Sequence, residues 1–424
     1  MRLAALVVML AACQPLPPIG AQRAAEGELK NGFPNPWERA LFMASNRARS
    51  DPATVKGPQS TIMPAQPPLV NDYDLERSSR FHATMLEKGG APLMHPSPCM
   101  LKSDVGTSGC DGSPACGCTS GKTCETCGNC AAGTDPFARI GLFRAAGGGG
   151  EVAAAGYGDP WAVVDGWVDE AAGADGHRQI VDGASYGVAG FGHSEGVAGA
   201  CWPTFDVGDF GFEMPAPQKL AGAAPKPIGG GAGPYRIYAT WADPALGAPS
   251  TIAAVIDGAC TTMTKELGSP TLNATYFADV NLDTGCHAVY VLGRDASGAR
   301  VTYPSTTAFT INVGGGACAD ETAQPQAACD NVAPPDLARP SANDGGSTVN
   351  PGDPQNPGDP QNPGNPGDPQ NPGDPQHGAG TPPTVQGGCA AAPGASSTAE
   401  LLLVVFALAL AARGVRSSTP RRRS

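Results

Sequence analysis

The sequence predicts an α+β protein with a small all-β unit after it, and three observations carry that reading. Residues 34–215 alternate apolar stripes at helical spacing with short strand-like runs. Residues 233–318 break into strand-like segments punctuated by Gly, Pro, Asn and Asp. Beyond residue 318 apolar content falls away until one long apolar run near the C-terminus, so a Pro/Gly-rich linker (330–387) leads to a terminal apolar helix within 388–424. With 58 Gly and 43 Pro in 424 residues, much of the length must be linker rather than core.

The elements follow in order. MRLAALVVMLAAC carries one basic residue and an apolar run from Leu3 to Ala12, an export signal too short to span a bilayer. Its ending, Leu10-Ala11-Ala12-Cys13, resembles a bacterial lipobox, which implies cleavage after residue 12 and a lipid on Cys13. An ordinary signal peptide cut a few residues later is the other reading. Residues 35–52 form a helix: Asn35 caps it, Pro36 suits the first turn, and Glu38 completes a capping box. Residues 66–95 hold a second helix with Leu75, His82, Ala83 and Leu86 inward, then a loop carrying His95. An inward helix His is ordinarily a core residue, and His82 is read so, with ligation as the alternative.

CDGSPACGCTSGKTCETCGNC follows, within a Cys-rich insert spanning 99–130. Its Cys-x-x-Cys spacing suits zinc in a reducing compartment. Export reverses that reading. Of fourteen cysteines, setting aside Cys13 and Cys389 leaves an even number, as a disulfide framework requires. Glu151 then precedes a third helix, capped by Asp159 with Pro160 in its first turn and striped by Trp161, Val164, Trp167, Val168 and Ala171. Glu170 lies at the edge of that stripe. Gly173 and Gly176 end the helix, so the chain must turn His177 back to reach Glu170.

Residues 216–232 read as a Pro/Gly hinge. In 233–318, Ala274, Tyr276, Ala278, Val280 and Leu282 alternate as in a half-buried strand, and the segment count suits a small immunoglobulin-like sandwich that Cys260 with Cys286 could staple. His193 and His287 are read as non-ligating. From Asn350 to Gln376 the chain repeats NPGDPQ with one truncated copy, a semi-stiff spacer of about 80 Å if fully extended. A helix over 390–412, charged only at Glu400, would reach about 35 Å and span a bilayer, with the Arg cluster from Arg413 on the cytoplasmic side. The order of Cys389, apolar helix and Arg cluster resembles the C-terminal sorting tail of myxobacterial surface proteins; a permanent single-pass anchor is the plainer reading. Either leaves the body outside the cell, anchored at the envelope or surface, or released from it. A formal charge of −12, with no basic cluster before that tail, excludes nucleic acid as a partner.

Several stretches in series resemble the CAP superfamily (cysteine-rich secretory, antigen 5, pathogenesis-related 1; also called SCP). They are Asn46 and Arg49 in the first helix, PPLVNDYDLERSSRFHA, Met94-His95-Pro96-Ser97, and Gly150-Glu151 with AAGY. Trp167, Glu170, Gly176-His177-Arg178-Gln179-Ile180, Tyr186-Gly-Val-Ala-Gly and Gly208-Asp209-Phe210-Gly211 complete the series. The resemblance covers 34–215 and implies an α-β-α sandwich whose cleft is lined by His95, Glu151, Glu170 and His177, a set able to hold zinc or another divalent metal. Val152 and Asn71 depart from the family pattern, which puts the cleft's polarity in doubt. The implied function is a surface-displayed binding protein for a small lipid, glycan or protein ligand, held at the membrane through its ends. A metal-dependent peptidase or esterase is the enzymatic alternative, though no HExxH helix is present. A structural envelope protein with a vestigial cleft is the third.

Overall fold

Asn35 starts the first helix, α1 (Pro36–Ser50), as its chemistry dictates. Its Oδ1 accepts from Glu38 N–H at 2.9 Å and Glu38 Oε2 accepts from Asn35 N–H at 2.8 Å, a closed capping box. The computed structural model describes residues 28–123, 127–128, 130, 133–228, 234–327, 329 and 386–387. After α1 come β1 (Val70–Asn71), α2 (Tyr73–Lys88), α3 (Pro114–Gly117), α4 (Pro136–Phe143), β2 (Gly150–Ala155), α5 (Pro160–Val168), α6 (Gly176–Val181), β3 (Val188–Glu195) and β4 (Thr204–Gly211). The first sheet runs β1-β3-β4-β2, parallel between β1 and β3 and antiparallel elsewhere. A two-residue strand, Gln386–Gly387, pairs with Ala155 and Ala154 at its β2 edge.

Helices cover both faces of this sheet. Ala83 and Leu86 of α2 pack with Ala153, Ala155, Phe205 and Val207, while α1 and α5 pack with Val152, Ala154, Phe191 and Phe210 on the other side. The α2 contact is close because β3 places glycine beneath it. A Cβ at Gly190 would stand 2.0 Å from the Glu76 nitrogen, and one at Gly192 2.0 Å from that of Arg80. Arg80 reaches back to Glu38 of α1 through a bidentate pair, tying the two long helices together past the sheet edge.

The next strands are β5 (Leu220–Pro227), β6 (Tyr235–Trp241), β7 (Thr251–Ile256), β8 (Ala259–Thr262), β9 (Thr264–Ser269), β10 (Asn273–Val280), β11 (Gly285–Arg294), β12 (Arg300–Tyr303), β13 (Thr307–Val313) and β14 (Glu321–Ala323). They form two sheets, β5-β6-β10-β9 and β14-β13-β11-β7-β8, with β12 paired to β11. The stretch read as a hinge therefore carries a strand, because Leu220, Ala221 and Ala224 bury their side chains against β6 and α1. In β10, Thr275 and Phe277 are buried along with Ala274, Tyr276 and Ala278, since α1 lies across the face that alternation left to solvent. Thr275 Oγ1 meets Ser50 Oγ at 3.0 Å, and Arg47 forms a bidentate pair with Glu266 at 2.9 Å.

The α+β class expected from the sequence, with its α-β-α sandwich, is corrected by these sheets. About 31% of the described residues are strand and 20% helix, in three sheets, which makes the protein mainly β. The cause lies in length: only α1 and α2 exceed nine residues, whereas the C-terminal half adds two complete sheets. The linker over 330–387, apart from Gln386–Gly387, and the apolar helix over 390–412 lie outside the described residues, as do Cys13 and Cys389. No helix among the described residues is long and apolar enough to cross a membrane.

Disulfides join Cys99 to Cys118, Cys110 to Cys116, Cys127 to Cys201, Cys260 to Cys329 and Cys286 to Cys318. They set the body in an oxidising, extracytoplasmic environment. The pairing of Cys260 with Cys286 is corrected: Cys260 sits on β8 and Cys286 on β11, and each bonds instead to a cysteine beyond β13, Cys329 and Cys318 respectively.

Candidate metal centre

Glu170 and His177 meet by the route that the glycines imply. The third helix stops at Val168, Gly173 takes a left-handed φ of +86°, and α6 restarts the chain at Gly176. Glu170 Oε2 accepts the His177 backbone N–H at 2.9 Å, satisfying a donor that the short helix leaves open, and Oε1 lies 2.5 Å from His177 Nδ1. The His177 side chain is buried.

His95 is held in the same manner by different elements. Its Nδ1 lies 2.8 Å from Glu151 Oε1, and Glu151 is fully buried on β2. An ionised carboxylate only accepts, so each imidazole donates from Nδ1 and leaves Nε2 as the bare nitrogen. Both Nε2 atoms are buried and meet no partner. Burial lowers the His95 pKa to about 4, with the charge of His177 the next cause, so His95 is neutral at physiological pH.

Three further side chains stand around these pairs. Arg139, buried on α4, contacts Glu151 Oε2 and donates to His95 O at 3.0 Å and to Ser97 Oγ at 3.2 Å. Asp209 stands opposite Glu151 in the β2–β4 ladder, on the same face. Burial, then the Glu151 charge, push its carboxyl well above the usual range, and burial raises Glu151 also while Arg139 opposes it. Two carboxyls share one guanidinium, so Asp209 keeps the proton and Glu151 the charge. His82 donates through Nε2–H to Met94 O at 2.9 Å, which fixes the residue before His95. Burial drives its pKa well below the ordinary value. His82 was read as an inward helix residue and is one, and Asp209 was legible as the acid of its Gly-Asp-Phe-Gly stretch, whereas a lone Arg inside PFARIGLF carries no signal.

The four residues singled out in the sequence thus form two His–carboxylate pairs. Glu151 and Glu170 hold the Nδ1 side of the imidazoles, and the remaining donors are the two buried Nε2 atoms. This is the arrangement in which a carboxylate orients a metal-ligating His. An imidazole donor set suits zinc, copper or nickel. Among the described residues, the group that places three ligand atoms within 4.8 Å of one another is Cys110, Asp111 and Cys116; His95, Glu151, Glu170 and His177 do not form such a group. Cys110 and Cys116 are bonded to each other, so neither offers a thiolate. His193 binds Asp206 at 2.8 Å beneath Trp37, and His287 binds Asp257 at 2.7 Å; neither joins the centre. No protein-family model matches the chain, and no curated protein or solved structure matches it either.

Proposed function

We propose that this protein is displayed at the cell surface, anchored through its ends, and uses the His95/His177 centre to hold a divalent metal such as zinc in a cleft that binds a small lipid, glycan or protein ligand. The observation that carries the proposal is the pair of buried, partnerless Nε2 atoms, each on a ring oriented by its own carboxylate. Leaving a buried polar atom unpaired costs about 1–3 kcal/mol, so each ring favours a partner at its Nε2, and one ion reaching both would serve the two. The CAP resemblance places the same four residues in one cleft, which agrees with this reading.

Within that reading His95 and His177 ligate, Glu151 and Glu170 fix their tautomers, and Arg139 with His82 holds the loop that presents His95. A bound ion supplies a Lewis-acidic point at which a ligand oxygen can be gripped. With two protein ligands rather than three, the centre leaves most coordination positions to water or ligand, which favours binding over a built hydrolytic site.

The test is metal content and zinc titration of the full chain exported from an oxidising host. Zinc binding near one equivalent, lost in both His95→Ala and His177→Ala while circular dichroism is unchanged, supports the centre. Zinc uptake that survives both substitutions, or its absence in the wild type, overturns it.

A further inference from the structure

A second concavity lies away from the two imidazoles, where the start of β5 meets the turns that follow β6 and β11. It encloses about 460 Å³ and is lined by Pro217, Leu220, Pro244 and Val301 among others. That volume lies in the range that takes a small molecule or a short peptide segment.

Its charges are already balanced. Lys219 Nζ lies 2.9 Å from both Asp243 Oδ2 and Asp295 Oδ2. Each aspartate uses its other oxygen to brace its own turn: Asp243 accepts from Leu246 N–H at 2.9 Å, and Asp295 from Ser297 and Ala299 N–H at 2.9 and 3.0 Å. With Arg300 at the wall, two positive side chains face two negative ones. The walls are preformed and ask for no net charge in an occupant.

One group in the wall is unsatisfied. Gln218 is 7% exposed, and neither its Nε2–H₂ nor its Oε1 has a hydrogen-bond partner. A carboxamide offers a donor and an acceptor side by side, and the group that meets both at once is another amide, through its C=O and N–H. The described lining contains no aromatic ring on which a sugar could stack. We propose that this pocket binds a short, uncharged apolar peptide segment, with Gln218 pairing one backbone amide and the Pro/Leu/Val wall taking an apolar side chain.

The probe is the blocked dipeptide N-acetyl-Leu-Val-N-methylamide, titrated into the full exported protein by calorimetry and ligand-observed NMR, with N-acetylglucosamine alongside. Saturable binding of the dipeptide is expected, at least about tenfold weaker in Gln218→Leu, which keeps the packing and removes the amide. Val301→Trp, which fills the cavity, should abolish it. Gln218→Leu should fold at least as stably as the wild type, since it deletes only unpaired groups; this variant keeps the test decisive should Val301→Trp not fold. No saturable binding at millimolar dipeptide, equal affinity in Gln218→Leu, or N-acetylglucosamine binding as tightly would overturn the proposal, the last pointing to a sugar.

Discussion

Replacing Glu76 by Gln should flatten a pH dependence that the wild type carries through neutrality. Glu76 is buried beneath β3, where a Cβ on Gly190 would touch its backbone. Burial raises its carboxyl from 4.5 to about 8, offset in part by the hydrogen bond from Asn71 Nδ2 at 2.6 Å. Because the folded-state value lies above the unfolded one, the native protein binds more protons between them, and stability falls as pH rises. The full stability is present below about pH 4.5 and is lost as pH passes about 8. The interval corresponds to roughly 5 kcal/mol, or close to 1.4 kcal/mol per pH unit inside it. Gln keeps an acceptor for Asn71 and cannot ionise. Urea unfolding with disulfides intact, at pH 5.5, 6.5 and 7.5, should show Glu76→Gln gaining about 2–3 kcal/mol on the wild type across the series. Other titrating groups are common to both proteins and cancel in the difference. A gap that stays constant across the three pH values would refute the reasoning.

Three further outcomes follow from the same contacts. Arg139→Met removes the one guanidinium facing Glu151 and Asp209 and should cost about 3–5 kcal/mol in urea unfolding. Part of that loss should return in the double variant with Glu151→Gln. Gly192→Ala drives a methyl to within 2.0 Å of the Arg80 nitrogen, so α2 must lift from β3, with a loss of about 1–3 kcal/mol or more read by thermal unfolding. Glu170→Gln retains an acceptor for His177 but removes its charge; zinc affinity, measured against a chelator, should fall about 10–100-fold while the fold persists, and an unchanged affinity counts against the carboxylate's role.

What the sequence made legible was local chemistry. The Asn35–Glu38 box, the Asp159–Pro160 start and the turn returning His177 to Glu170 depend on residues at most seven apart, and all three are present. The pairing of His95 with Glu151 spans 56 positions and was reachable only through the family resemblance. Fold class went astray because periodicity weights each element alike. Short helices and long strands read as equal partners, whereas the strands occupy more of the chain. In β5, Pro225 and Pro227 mask a strand that sits at a sheet edge, where proline is tolerated. In β10, alternation reported one buried face and could not register the helix from the N-terminal half that covers the other.

The Cys-rich insert takes its meaning from what its ends hold. Ser97 N–H donates to Thr134 O at 2.8 Å and Gly133 N–H returns to Ser97 O at 2.9 Å, so the chain leaving the insert pairs with the chain just after His95. Cys99–Cys118 closes a loop within that insert, and Cys127–Cys201 fastens its far end to the loop between β3 and β4. A loop is a poor platform for a metal ligand unless something stiff carries it. Here Arg139 grips the His95 and Ser97 positions from inside while the disulfide-braced insert grips Ser97 from outside. Acidic groups point the same way: Glu151 and Glu170 stand behind the imidazoles, and burial with the Glu151 charge pushes the neighbouring Asp209 carboxyl well above its usual range. Under the proposed metal reading, acidic groups placed there favour an entering cation over an anion, without a carboxylate having to leave its histidine.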